Sequence, residues 1–193
     1  TFAFVSLMEN GERDFYFNRG ADGELTRDEV DAIDLKEFSI EHFGSATAFL
    51  PGPLQIAYLS LLQKALVHDV FISFDPNYRS LLFQYNKQSF IDQSWNFLEH
   101  CHFFKVSDEE AMMLTGRATL TDAVNDFLLR TKSVFAITLG KDGTLLGING
   151  ETKIIPSIKI KPVDTTGAGD AFVGAVLYQL EGKSLAEIKA MKP

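Results

Sequence analysis

Two short runs open the chain in which aromatic and β-branched residues dominate: residues 2–9 (FAFVSLME) and 13–18 (RDFYFN), separated by Asn10-Gly11-Glu12. Asn-Gly between such runs is the strongest short-range hairpin signal. The pattern predicts an antiparallel ribbon with Phe2, Phe4, Phe15 and Phe17 on one face. A lone hairpin cannot bury that face, so the ribbon is expected to cover a site, to pair with a second subunit, or both, with packing on its own domain as the alternative. Asn18 to Gly23 is a turn-rich exit.

From Thr26 the pattern becomes alternating helix and strand. Thr26 and Glu29 can form a capping box for a short helix reaching Ile33. Glu41–Phe49 reads as strand and loop, and Pro51-Gly-Pro53 introduces a long helix with Leu54, Tyr58, Leu61, Leu62 and Ala65 on one stripe. Val70–Phe74, His102–Val106 and Ser133–Leu139 are apolar runs of the kind that form parallel strands buried on both faces. Ser89–His100 and Thr121–Arg130 read as the helices between them. Thr144–Ile148 and Thr152–Ile160 follow, with a hairpin at Asn149-Gly150, and a final apolar helix carries Val173 to Leu180. Together these predict an α/β fold: a three-layer, doubly wound, mostly parallel sheet with helices on both faces and a projecting antiparallel ribbon. Residues 1–23 are assigned to the ribbon and 24–193 to the α/β domain.

Composition narrows the classes. The 193 residues are 46% hydrophobic, with 17 Phe, enough for one domain with a substantial core. A net charge of −8 argues against nucleic acid or an anionic membrane as partner. The single cysteine, Cys101, excludes an internal disulfide and fits a reducing compartment. No signal peptide or membrane-spanning run is present, so a cytoplasmic location is expected. Thr1 opens directly into a strand pattern and the sequence stops at Pro193 just after a helix begins, so a longer polypeptide is expected.

Chemistry concentrates in Asp164-Thr-Thr-Gly-Ala-Gly-Asp-Ala-Phe172, at the start of the last long helix. Small residues there let several backbone N–H groups point into one concavity where the helix dipole favours negative charge. Asp170 sits beside that anion hole, which suits a group that takes a proton from a hydroxyl while phosphoryl charge is stabilised nearby. A dinucleotide fingerprint would need glycine at Phe172, and a P-loop would need lysine at Ala175. A plain glycine-rich turn with Asp170 as a first-turn acid remains open on these residues alone.

Three strand ends add candidates. Asp75-Pro-Asn-Tyr-Arg79 carries more polar groups than a turn requires, although Asp-Pro-Asn alone also stands as a common turn. Lys105-Val-Ser-Asp-Glu-Glu110 contains a capping box, Ser107 with Glu110, which also stands as a purely structural feature. Thr138-Leu-Gly-Lys-Asp-Gly143 brings two glycines to a strand end, either for close approach to a ligand or for a hairpin turn. His100-Cys101-His102 lacks further ligands at metal-binding spacing, and packing accounts for it better.

DTTGAGDAF followed by small and apolar residues resembles the C-terminal signature of the PfkB carbohydrate kinases, the ribokinase-like sugar kinases. The D-P-N-x-R, S-x-x-E and T-L-G-x-x-G strings resemble further motifs of that family in the same order, and the first resembles its fructokinase and ketodeoxygluconate-kinase branch. The resemblance implies ATP-dependent phosphorylation of a sugar hydroxyl, most like a fructokinase, with Asp170 as general base. It implies that the N–H groups of Gly167, Ala168 and Gly169 hold the transferring phosphoryl group, and that Asn77 and Arg79 lie near phosphate and acceptor. Lys105, Ser107, Glu110, Thr138, Gly140 and Gly143 would line the nucleotide, Glu110 would organise Mg²⁺ through water, and Asp164 and Thr166 would hold a monovalent cation, usually K⁺. Ser107 stands where the family usually has Asn, a form associated with fructokinase-like members.

In such kinases an equivalent ribbon is a lid over the sugar and often the homodimer surface. The family's N-terminal signature, with the Asp that grips the sugar, has no counterpart here, and the wall of the adenine pocket is also absent. These residues alone are expected to be inactive. A kinase for 2-keto-3-deoxygluconate or a nucleoside, and a non-catalytic nucleotide-binding protein, are the alternatives.

Overall fold

The computed structural model describes residues 2–7, 13–68, 70–161 and 163–191. The ribbon is present: β1 (Phe2–Leu7) pairs antiparallel with β2 (Arg13–Asn18) as a separate two-stranded sheet. Its register corrects one expectation. Phe2 pairs with Asn18 and Phe4 with Tyr16, whereas Phe15 and Phe17 stand opposite Val5 and Ala3. Opposed residues of an antiparallel pair share a face, so the four phenylalanines divide between two faces. Phe2, Phe4 and Tyr16 form an exposed aromatic row with ring centroids 6.4 and 6.2 Å apart. The connecting Asn10-Gly11-Glu12 lies outside the described residues.

α1 (Arg27–Asp31) starts at the expected capping box, with the Glu29 N–H donating to Thr26 Oγ1 and the Thr26 N–H donating to the Glu29 carboxylate at 2.8 Å. Then follow β3 (Ile40–Gly44), α2 (Pro53–Val67), β4 (Phe71–Asp75), α3 (Lys87–Leu98), β5 (Phe103–Ser107), α4 (Asp108–Thr115), α5 (Leu120–Arg130) and β6 (Val134–Thr138). β7 (Thr144–Ile148) and β8 (Glu151–Ile155) are joined at Asn149 and Gly150, whose φ values of 53° and 81° are the left-handed pair a type I′ turn demands. α6 (Ala168–Leu180) and α7 (Leu185–Ala190) close the described chain. Asp22 ties the ribbon exit to the loop after β3, accepting from the Gly20 N–H at 3.1 Å and from the Thr47 hydroxyl at 3.0 Å.

The main sheet has the order β3-β4-β5-β6-β7-β8, parallel from β3 to β6 and antiparallel beyond. Because successive parallel strands are neighbours, crossovers of one hand lay their helices on one face. There α2, α3, α4 and α5 pack on Phe43, Ile72, Phe74, Phe104, Val106, Phe135 and Ile137. The alternate residues, Phe71, Phe103, Val134 and Ala136, meet α6 and α7 on the other face through Leu180 and Ile188. The three expected layers follow from this parity.

The larger core is aromatic. Phe97 lies 5.1 Å from the rings of both Phe43 and Phe74, and Phe49 bridges to Phe90 at 5.6 Å. Each such buried ring contributes roughly 1.5–3 kcal/mol of burial. Trp95 Nε1 donates to the Leu114 carbonyl at 2.7 Å, pinning α3 to the end of α4, and Arg130 lies 3.3 Å over the indole. Among the described residues no helix is long and apolar enough to cross a membrane.

Candidate active site

Where the parallel strands end, the sheet face turned towards α6 changes character. Along β4 that face reads Phe71, Ser73, Asp75; along β5, Phe103, Lys105, Ser107; along β3, Ile40, His42, Gly44. The first member of each row is apolar and belongs to the cluster with Leu177 and Leu180, and the later members are mostly polar. α6 therefore rests its C-terminal half on an apolar floor and hangs its N-terminus over a polar one. The approach at that end is close: a methyl group on Gly169 would lie 3.2 Å from Lys105 Nζ. Gly167, at φ 76°, is the N-cap, and Asp170 stands in the first turn. The Ala168 N–H donates to the Thr165 carbonyl at 3.2 Å.

Lys105 Nζ donates to Asp75 Oδ2 at 3.3 Å, and both side chains are buried. Burial pushes the Asp75 carboxyl up to about 6 against the opposing pull of Lys105, and the nearby Glu110 adds to the rise. His42 places Nδ1 3.1 Å from Ser73 Oγ; partial burial lowers its pKa more than the charge of Asp170 raises it.

The segment after β4 is fixed from two sides. Asn77 adopts φ 47°, a left-handed conformation that Asn tolerates better than most residues. Its N–H donates to Asp75 Oδ1 at 3.1 Å, and the next N–H, of Tyr78, donates to Glu110 Oε1 at 2.7 Å. The Ser45 hydroxyl also donates to the Pro76 carbonyl. This presents Arg79 at a cleft of about 440 Å³ whose other walls include Lys105 and Ser107 from β5, Glu110 from α4 and Lys87 from the start of α3.

Five residues nominated from the sequence thus come together: Asn77, Arg79, Lys105, Ser107 and Glu110. The Ser107–Glu110 capping box forms as expected, with bonds of 2.8 and 3.1 Å. Each Glu110 oxygen accepts one backbone N–H, and a carboxylate with about four acceptor positions can still take a metal-bound water, so the residue fits a Mg²⁺ site. Asp164 Oδ1 accepts the Thr166 N–H at 2.8 Å in an Asx turn, an oxygen-rich element of the kind hard cations accept.

Thr138 is paired in register with Ser107 but does not line the cleft. The expected hairpin forms between β6 and β7 with Gly140 beginning one turn of 3₁₀ helix, and Gly143 sits at φ 109° where a Cβ would collide with the Ile155 carbonyl of β8, so packing already requires glycine there. His102 Nδ1 accepts the Ile72 N–H at 2.9 Å, His100 Nδ1 lies 2.7 Å from the Asn96 carbonyl, and Cys101 is buried, which accounts for that tripeptide structurally. Sequence reasoning missed Lys87, whose position beside Arg79 depends on the intervening turns, and His42. It also passed over the burial of Asp75, although the polar residues ending the β4 and β5 faces, Asp75 and Ser107, were a readable signal.

The sequence model described as pfkB family carbohydrate kinase matches residues 1–190. Fructokinase-1 of Zea mays is 35% identical over 181 residues, covering 92% of this chain and 55% of the maize protein, and fructokinase-1 of Oryza sativa subsp. japonica is 34% identical with the same coverage. The chain thus spans about half the length of the curated relatives it matches. A putative ribokinase II from E. coli superposes with a TM-score of 0.80 at 27% identity, covering 94% of this chain and 59% of that one. Fructokinase from Vibrio cholerae O395, solved with fructose, ADP and calcium, gives 0.73 at 26% identity, covering 92% and 58%.

Proposed function

Since the chain belongs to the pfkB family of carbohydrate kinases, we propose that the polypeptide containing it is an ATP-dependent sugar kinase, fructokinase-like, that moves the γ-phosphoryl group to a sugar hydroxyl. The observation that carries this reading is the seating of the Gly167–Asp170 helix start over the Lys105–Asp75 pair, next to a cleft bearing Arg79. Identity of 35% to maize fructokinase-1, and the fructose and ADP bound to the Vibrio enzyme, support the choice of substrates.

In this mechanism Asp170 takes the proton of the acceptor hydroxyl as its oxygen attacks the γ-phosphorus, the bond to the β-phosphate oxygen breaks, and ADP departs. The N–H groups of Gly167, Ala168 and Gly169 receive the equatorial charge, the Ala168 N–H giving up Thr165 to do so. Arg79 and Lys105 offset phosphate charge, with Asn77 beside them; Thr138, Gly140 and Gly143 border the nucleotide. Mg²⁺, when bound, supplies charge neutralisation across the phosphates, and Glu110 would hold it through water, with Ser107 bordering the nucleotide. Asp164 and Thr166 would hold K⁺. The β1–β2 ribbon serves as lid and as the surface of a homodimer, presenting Phe2, Phe4 and Tyr16.

The test is ADP release by the full-length polypeptide with fructose, glucose, ribose, 2-keto-3-deoxygluconate and a nucleoside as acceptors. Turnover with fructose is expected. Asp170→Asn should cut turnover by about two to four orders of magnitude, the scale of a lost general base, while ADP still binds. Turnover retained in that variant overturns the base assignment, and turnover confined to the nucleoside or the sugar acid overturns the substrate.

A further inference from the structure

Lys87 is the first residue of α3, where the helix dipole disfavours a cation and no acidic side chain in the first turn offsets it. Its N-cap, Asn86, makes no side-chain capping bond. Among the described residues Lys87 has no ion pair or side-chain hydrogen bond, yet it lines the same cleft as Arg79 and Lys105. Lys87 is exposed, so its ammonium can swing on its long stem towards a ligand in that cleft. The route back to the cleft is a fixed one. From Arg79 the chain turns through Leu82 N–H to Arg79 carbonyl at 3.0 Å, Phe83 N–H to Ser80 carbonyl at 3.2 Å and Asn86 N–H to Phe83 carbonyl at 3.0 Å. Phe83 is buried and meets Phe90 edge-on at 4.7 Å, anchoring the turn to α3. Two cations eight positions apart are thereby brought to one concavity, which Lys105 also lines. Two acids, Glu109 and Glu110, also line it, and Glu110 is already engaged with the Tyr78 and Ser107 N–H groups.

We propose that Lys87 is a further phosphate-binding residue of this cleft, meeting the nucleotide's phosphates from the side opposite the Gly167–Gly169 loop and acting with Arg79. This rests on the reading of the site as an ATP site. Lysine is suited to the role as a mobile point charge on a long stem, where Arg79 gives a planar fork. Electrostatic attraction here adds to nucleotide affinity and carries salt dependence.

The experiment is calorimetric titration of ADP into the full-length polypeptide and its Lys87→Gln, Lys87→Arg and Lys132→Gln variants, at low and high salt, with sugar phosphorylation assayed in parallel. Lys132 precedes β6, at the N-terminal end of the parallel strands, and provides the same charge loss away from the cleft at their C-terminal ends. Lys87→Gln should weaken ADP about tenfold, the effect of losing one charge-assisted bond, and flatten the salt dependence. Lys87→Arg should recover most of it, and Lys132→Gln should leave ADP affinity unchanged. ADP affinity unaffected by Lys87→Gln overturns the proposal, as does a loss confined to the phosphorylated sugar. ADP binding that falls in Lys87→Gln while no acceptor is phosphorylated by the unmutated protein would sink the kinase reading and leave this one standing.

Discussion

Glu110 holds the backbone of Tyr78: its Oε1 accepts the Tyr78 N–H at 2.7 Å across 32 residues, while Oε2 accepts the Ser107 N–H at 2.8 Å. One carboxylate thus caps α4 and latches the segment that carries Arg79. Gln has a single acceptor oxygen, so Glu110→Gln must set an amide N–H₂ against one of the two donors. That variant should lose about 1–2 kcal/mol, the lower part of the range for an unsatisfied donor because both N–H groups are only part-buried. Ser107→Ala loses only the cap, about 1 kcal/mol. Thermal melts of the two variants check the order, and a larger loss in Ser107→Ala would show the Tyr78 bond to be unimportant.

Asp75 should make stability fall as pH rises from about 4 to about 6. Its folded-state pKa of about 6 lies above the ordinary 3.8, so the folded protein binds the proton more tightly than the unfolded chain. The stabilisation is fully present below about 4 and lost on passing 6, with an upper bound of roughly 3 kcal/mol for a shift of about two units. Urea midpoints of Asp75→Asn and the unmutated protein should converge or cross between acid and neutral pH. A constant offset would mean Asp75 titrates normally.

Gly143→Ala should be strongly destabilising. The position combines φ 109° with a Cβ that would collide with the Ile155 carbonyl oxygen. Strain of this kind costs on the order of 1–3 kcal/mol, and the β7–β8 end of the sheet should fray first. Amide exchange along β8, compared between variant and parent, reads this directly; unchanged protection there would refute it.

Much of the fold was legible because its signals are local. The boxes Thr26–Glu29 and Ser107–Glu110 and the Asn149-Gly150 turn each need only a few neighbouring residues to be specified, and all three form. The apolar runs announced buried strands for the same reason. The ribbon's faces were misassigned because face depends on register, and register is set by the connection rather than by the runs themselves. The site was half legible: Asn77, Arg79, Lys105, Ser107 and Glu110 carry motif signals, whereas Lys87 carries none. At the sequence level it is a surface lysine, and only the Phe83 anchor returns it to Arg79. The floor under Gly169 was hidden too, because which helix covers which sheet face is a property of topology.

The consecutive order of β3 to β8 has a kinetic consequence. Each strand pairs with the strand just before it, so the sheet and its first helical layer can assemble by short loop closures, one unit at a time. α6 differs: its floor includes Phe71, about a hundred positions earlier in the chain, and exists only after β4, β5 and β6 are aligned. The helix start with its Gly167–Gly169 loop thus acquires its surroundings late in folding. It is also the first that can undock without tearing the sheet, so its amides should exchange through local opening while those of β4 and β5 await global unfolding.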